Sequence, residues 1–191
     1  MRTNLAVAAV AAIFLAASAA GYLEWAAGRR EQAAARAVAE SSEWFPAARW
    51  TARFMIERYG PPQEISGFEL RWNGPPPWKR IVVQNEPQSP LENVVALDVP
   101  ANKLGDLARF PHDVRLYARE GALGARSDSE PLNIMTLNLA HDIVAGETTP
   151  EAAERFFVRA SNLAQAGKSS PYMERLLFTG RQGPSGFYPV P

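Results

Sequence analysis

An α+β fold is what this chain predicts: an antiparallel sheet of four to five strands packed against helices, with a C-terminal antiparallel helix pair. Three observations carry that prediction. Phe68, Leu70 and Trp72 alternate with Gly67, Glu69 and Arg71, and Val114, Leu116 and Ala118 alternate with Arg115, Tyr117 and Arg119. Alternation of this kind is the mark of a strand with one face buried. Two helical patterns close the body, Pro131 to Ala145 and Thr149 to Gly167, joined by only Gly146 to Thr149. So short a connection leaves the two helices antiparallel.

Taken in order, the elements have the following grounds. Glu24 to Glu40 is alanine-rich with little apolar content beyond Trp25 and Val38, which predicts a solvated helical spacer. In the next segment Trp44, Trp50, Phe54, Met55, Ile56 and Tyr59 cover most of a helix circumference, so burial on several sides is expected. Gly60 with Pro61-Pro62 ends that helix. Asn73 to Pro77 reads as a turn, Trp78 to Gln84 as the returning strand, and Asn93 to Val99 as a third strand ended by Pro100. Leu104 to Ala108 is expected to form a short helix. Gly121 allows a hairpin from the Val114 strand into Leu123 to Ser127. Thr149-Pro150-Glu151 supplies a cap, a first-turn proline and an acid that the helix dipole favours. Ser170-Pro171 starts a last short helix carrying Met173, Leu176 and Leu177.

The first twenty residues, MRTNLAVAAVAAIFLAASAA, have the layout of a secretory signal peptide. Arg2 precedes an uncharged apolar run from Leu5 to Ala17, and Ala17-Ser18-Ala19 is a small-residue cut site. Export to the periplasm or beyond is the expectation, and an uncleaved membrane anchor over residues 5–23 is the alternative. The organisation that follows is a signal peptide over 1–20, a spacer over 21–41, one α+β domain over 42–180, and a loosely ordered tail over 181–191.

Composition narrows the function classes. The 191 residues include 20 Lys and Arg, 20 Asp and Glu, two His and no Cys. Near-neutral charge makes general nucleic-acid binding a poor fit. The absence of cysteine excludes disulfides, thiolate metal sites, a cysteine nucleophile and a lipidated N-terminus. Two histidines are too few for an all-histidine zinc site. Ser185 lies in Gly-Pro-Ser-Gly, without the spacing of a nucleophile elbow. With no glycine-rich phosphate motif either, the chain predicts no cofactor and no metal.

The stretch YGPPQEISGFELRWNGPPPWKR from Tyr59 to Arg80, together with LNLAHDIVAGE from Leu137 to Glu147, resembles a family of exported bacterial proteins. Its members share a Tyr-Gly-x-Pro turn, an Asn-Gly-Pro…Trp-Lys-Arg hairpin and a Leu-Asn-Leu-Ala helix. The likeness covers most of the mature chain and implies export, but it brings no activity and no site residue. A helix ending Gly-x-Pro before a tryptophan-bearing strand is similar to outer-membrane assembly lipoproteins of the BamE type. That likeness spans some twenty residues, lacks the lipidated cysteine, and bears on architecture alone.

Several residues are candidates for function. Arg115, Tyr117 and Arg119, with Arg126, are expected along one face of the hairpin, where guanidinium groups fork onto phosphates or carboxylates and a tyrosine stacks on a ring. Solvated cross-strand ion pairs are the competing reading. Trp72 and Trp78 flank the proline run and are either partner contacts or a hairpin staple. Asn138, His141 and Asp142 form a polar stripe suited to acid–base chemistry or to an exposed helix face. Asp128-Ser129-Glu130 offers oxygen ligands or helix caps. No catalytic residue is assigned. The expectation is a non-enzymatic exported binding or assembly module whose partner is an envelope protein or an anionic envelope polymer. The alternative is a cell-envelope hydrolase using carboxylates such as Glu130 or Asp142 with His112 or His141.

Overall fold

The computed structural model describes residues 22–178. The export segment expected over 1–20 and the tail expected over 181–191 lie outside the described residues. The first helix, α1 (22–40), is exposed along most of its length and meets the body only in its last turns. There Ala37 is fully buried, and Ser41 Oγ donates to its carbonyl at 2.9 Å.

Helix α2 (Pro46–Tyr59) begins with a proline in its first turn and closes where the Gly60 N–H donates to Ile56 O at 2.9 Å. Its apolar circumference predicted burial on several sides. Instead only the strip Ala48, Thr51, Ala52 and Met55 is buried, while Trp50 and Phe54 are exposed. The reason is local. Ala48 and Ala52 let the helix approach the sheet closely on one side, and no element covers the other among the described residues.

A six-stranded antiparallel sheet follows, built from β1 (Glu64–Ile65), β2 (Glu69–Asn73), β3 (Arg80–Gln84), β4 (Leu91–Ala96), β5 (Val114–Tyr117) and β6 (Ala122–Ser127), in the order β1-β2-β3-β4-β6-β5. Between β4 and β5 runs a short helix, α3 (Leu104–Leu107). The connection carries the chain past the β6 position, so that β5 forms the edge and the hairpin return places β6 against β4. Register sorts the two faces. Leu70, Trp72, Ile81, Val83, Leu91, Val95, Leu123 and Ala125 point to the helices and form the core. Glu69, Arg71, Arg80, Val82, Glu92, Val94, Arg115, Tyr117 and Arg126 lie on the opposite, outer face.

Helix α4 (Glu130–Ala145) is the central element. Ile134, Leu137 and Ala140 pack on the sheet, while Met135, Leu139 and Ile143 pack on α5 (Pro150–Gln165) with Ala153 and Ala160. A helix apolar on two sides has this consequence: it separates two layers and is buried by both. Gly146 takes the left-handed conformation (φ 79°, ψ 16°) that ends α4. Thr149 Oγ1 accepts from Ala152 N at 3.2 Å and starts α5. The last helix, α6 (Pro171–Glu174), lies back across α4. No helix among the described residues is long and apolar enough to cross a membrane.

Candidate functional site

The N-terminal end of α4 holds the most constrained side chain of the molecule. Glu130 is 2% exposed although it is charged and sits in the first turn. Three donors converge on its Oε1: the Tyr59 hydroxyl at 2.5 Å, Trp78 Nε1 at 2.9 Å and Asn93 Nδ2 at 3.3 Å. Oε2 has no hydrogen bond, but Arg58 Nε lies 3.0 Å away as an ion pair. The helix dipole adds to the stabilisation of the anion at this position. Asn93 is itself held by Asn133, whose Nδ2 donates to Asn93 Oδ1 at 2.8 Å and to Leu91 O at 3.0 Å. Burial, followed by the bond to Glu130, raises the Tyr59 pKa, so the phenol stays a donor. With Oε1 occupied by three donors and Oε2 facing a guanidinium, Glu130 joins α2, the proline hairpin, β4 and α4 at one point. It is poorly disposed to accept a proton from a substrate.

Above this carboxylate the surface is concave. A cavity of ≈ 270 Å³ is bounded by Tyr59, Pro77, Trp78 and Leu176 over Glu130. It continues, through Arg58, Glu130 and Glu174, into one of ≈ 500 Å³ that reaches Lys168. Pro131, Ala164 and Met173 connect that in turn to a groove of ≈ 650 Å³ between α2 and α5, lined by Ala47, Trp50, Leu132 and Phe157. Each shares lining residues with the next, so the three lie in a row that we call the cleft. Its far end sets apolar residues among Thr51, Asp128, Ser129, Ser161 and Gln165, with Trp50 71% exposed on the lip. Its near end carries Arg58, Lys168, Glu174 and Arg175. Cavities of a few hundred Å³ with an apolar wall and a few polar groups are the usual form of a binding site.

One wall of the cleft is α6, and the polar stripe of α4 holds it there. Asn138 Nδ2 donates to Tyr172 O at 3.0 Å and to Arg175 O at 2.9 Å, and its Oδ1 accepts from Leu177 N at 2.8 Å. The Tyr172 hydroxyl donates to Asp142 Oδ2 at 2.7 Å, and His141 stacks on Phe178 with centroids 4.6 Å apart. Burial, then the contact with Asp142, raises the Tyr172 pKa. The stripe is thus a clasp between helices. His112 is elsewhere, 2.7 Å from Glu154 Oε2 and in ring contact with Phe110 and Phe157. The acids and histidines therefore fall in three places: Glu130 at the cleft floor, His141 with Asp142 at the clasp, and His112 with Glu154.

The residues singled out from the sequence are divided between the two sides of the sheet. Trp72 and Trp78, 1% and 3% exposed, are inside. The Trp72 indole donates to Gly60 O at 2.8 Å, and that of Trp78 donates to Tyr59 and Glu130. Burial removes the pair as a surface for partner contacts; the indoles are held by Gly60, Tyr59 and Glu130 in the core, a different arrangement from the staple on proline rings that was the competing expectation. Arg115, Tyr117 and Arg126 do share the outer face, whereas Arg119 lies in a short 3-10 turn over Ala118–Glu120. The face is charge-compensated. Arg115 meets Asp113 at 3.2 Å, which raises its pKa; Arg126 meets Glu86 at 2.9 Å; and Arg80 meets Glu120 at 2.6 Å while covering the Tyr117 ring at 4.1 Å. Asp128 is exposed, and Ser129 is the N-cap of α4 but makes no side-chain cap bond.

The sequence marks Glu130 as a ligand, a cap or a hydrolase carboxylate but not its partners, because Arg58 with Tyr59, Trp78 and Asn93 come from three other parts of the chain and Asn133 from the next turn of α4. Proximity of Arg58-Tyr59 to the Gly60 stop was the only available signal. Comparison with known proteins finds no matching family model, no matching curated protein and no matching solved structure.

Proposed function

We propose that this chain is an exported, non-enzymatic binding or assembly module of the cell envelope, and that it engages an envelope protein through the cleft between α2, α4, α5 and α6. The observation that carries this reading is the cleft itself: a largely apolar groove beside exposed Trp50, adjoining a charged end where Lys168 and Arg175 stand beside Glu174 and the Arg58–Glu130 pair. An extended segment with an apolar anchor and an acidic neighbour complements both ends. Exposed aromatics at the edge of a concavity are frequent anchors of protein interfaces. Export rests on the order of charge, apolar run and small residues over 1–20.

The hydrolase alternative draws on the same Glu130. The separation of Glu130 from both histidines and the three donors on Oε1 favour the binding reading. The outer sheet face supports it less than the cleft does, since its arginines already have acidic partners.

Affinity capture from solubilised envelope fractions tests the reading. Trp50→Ala and Met173→Asp are expected to lose a partner that the wild type retains, and Arg115→Ala/Arg119→Ala to keep it, with circular dichroism unchanged in all three. Retention by the cleft variants together with loss by the outer-face variant would transfer the function to the sheet.

A further inference from the structure

Strand β5 is an open edge of the sheet, and an apolar notch lies beside it. Leu116 is 40% exposed on the helix side, and so is Leu104. With Leu107, Phe110 and Val114 they line a cavity of ≈ 240 Å³. We infer that this edge joins two copies of the chain, antiparallel and centred on Leu116, so that one sheet runs through both. The notch shares no lining residue with the cleft, and the inference does not depend on the function proposed above.

The backbone fixes the register. Arg126 N donates to Asp113 O at 3.0 Å. By alternation Arg115 and Tyr117 also turn their peptide groups toward β6, whereas Val114 and Leu116 turn theirs outward. The Val114 N–H is already taken, by His112 O at 2.8 Å. Leu116 alone in β5 therefore offers both an outward donor and an outward acceptor. Neither has a hydrogen bond among the described residues. A two-fold axis at Leu116 satisfies both at once, since the N–H of each copy meets the carbonyl of the other. The opposite edge, β1, is two residues long and offers no such row.

Side chains select the same register. Centred on Leu116, the pairing sets Arg115 opposite Tyr117 and brings Asp113 of each copy to the turn that carries Arg119 of the other. Asp113 is half-exposed while it holds Arg115 from 3.2 Å, and Arg119 has no ion pair among the described residues. Moving the axis to Arg115 sets that arginine against itself, and moving it to Tyr117 sets Arg115 against Arg119. Like charges directly opposite one another destabilise a strand pair. On the helix side the two Leu116 side chains meet beside the two notches, where apolar surface leaves water. The edge is thus complementary to itself in one alignment, which makes a second copy its occupant.

The test exploits the absence of cysteine from the chain. The full chain is expressed in a bacterial host, purified from the fraction where it accumulates, and oxidised with Leu116→Cys as the single thiol. Residues opposed in a hydrogen-bonded antiparallel pair stand about 5.5 Å apart between Cα atoms, within reach of a disulfide. Leu116→Cys should link two copies, and Ala118→Cys, four residues out of step with itself, should not. Faster linkage through Ala118→Cys would overturn the register, and linkage through neither would overturn the edge. A crosslink between two copies from position 119 belongs to this joint, since the partner sought through the cleft is a different protein. Sedimentation of the cysteine-free protein is the second measurement, with circular dichroism as the folding control. Asp113→Lys and Arg119→Glu should each weaken the dimer about tenfold, because each opposes like charges at both ends of the joint. Mixed in equal amounts, the two variants should recover the wild-type affinity, since each supplies the charge that the other has lost. A wild type that stays monomeric at every concentration, or a mixture no tighter than its components, contradicts the inference.

Discussion

Two glutamates are buried on opposite sides of this sheet, and their surroundings are alike. Glu130, on the helix side, accepts from the Tyr59 hydroxyl at 2.5 Å and faces Arg58. Glu92, on the outer side and 6% exposed, accepts from the Tyr117 hydroxyl at 2.5 Å, and Arg80 covers that tyrosine. In both, a phenol keeps a desolvated carboxylate satisfied, and burial pushes the phenol's pKa up. The difference lies in what closes over them. Glu92 is roofed by its neighbours on a continuous sheet face and lies close over Gly124, where a Cβ would meet Glu92 Oε1 at 2.7 Å and push the carboxylate aside. Glu130 is the floor of an open concavity lined by α2, the proline hairpin, α4 and the segment that follows α5. The same polar chemistry thus serves as filling on one side and as the base of a concave surface on the other, so shape separates the two sites more than residue type does.

The largest expected effect is at Glu130. Glu130→Ala leaves the Tyr59 and Asn93 donors without this acceptor and Trp78 with Tyr59 alone, and should lower stability by about 3 kcal/mol, at the lower end for breaking a buried pair because Arg58 is half-exposed. Urea denaturation measures it, and a loss under about 1 kcal/mol would show that the donors find water. Alkaline pH tests both carboxylates at once. Tyr59, Tyr117 and Tyr172 have folded-state pKa values raised above the ordinary 10. Their contribution is therefore complete below pH about 10 and is lost as pH rises through the raised values, because the unfolded chain releases those protons first. Melting temperature should fall above pH 10, less steeply in Tyr59→Phe and Tyr117→Phe than in the wild type.

Glu92→Ala should cost less than Glu130→Ala, about 1–2 kcal/mol, since only one hydroxyl loses its acceptor and the sheet edge lets water reach it. A reversed order would contradict the contrast drawn between the two sites. Thr149→Ala should lower stability by about 1 kcal/mol through loss of the α5 cap; an unchanged denaturation midpoint would mean that the cap is dispensable. Smallest of all, Arg115→Ala/Arg119→Ala should change stability by less than about 0.5 kcal/mol, as exposed pairs generally do.

How much of this was readable beforehand follows from the range of the interactions. The α+β class, the β2 alternation and the Gly146–Thr149 connection depend on neighbours in sequence, and all three are seen in the structure; the burial alternation expected for β5 is not, because β5 is the sheet edge and leaves Leu116 40% exposed. The two-residue β1 is too short to show a period, and placing β6 beside β4 is a long-range choice that no local pattern encodes. The reading of α2 erred because a count of apolar residues gives the material for burial but not the number of neighbours; Trp50 and Phe54 stayed outside. Trp72 and Trp78 were recognised as notable, yet their direction depended on register. Of the four residues expected on one face, Arg115, Tyr117 and Arg126 lie there and Arg119 does not; Asp113 is a sequence neighbour of Arg115, whereas Glu92 and Glu86 become partners only through strand pairing. The cleft is hidden for the same reason: its walls come from residues 47–59, 77–78, 128–134 and 157–176.

The most direct test of the central claim is photocrosslinking in the living cell. A photoreactive phenylalanine analogue is placed at position 50 on the cleft lip, at position 173 inside the groove, or at position 119 beside the outer sheet face. The account predicts one crosslinked envelope protein from positions 50 and 173 and none from 119. Adducts from position 119 alone would contradict it and place the partner on the opposite side of the sheet.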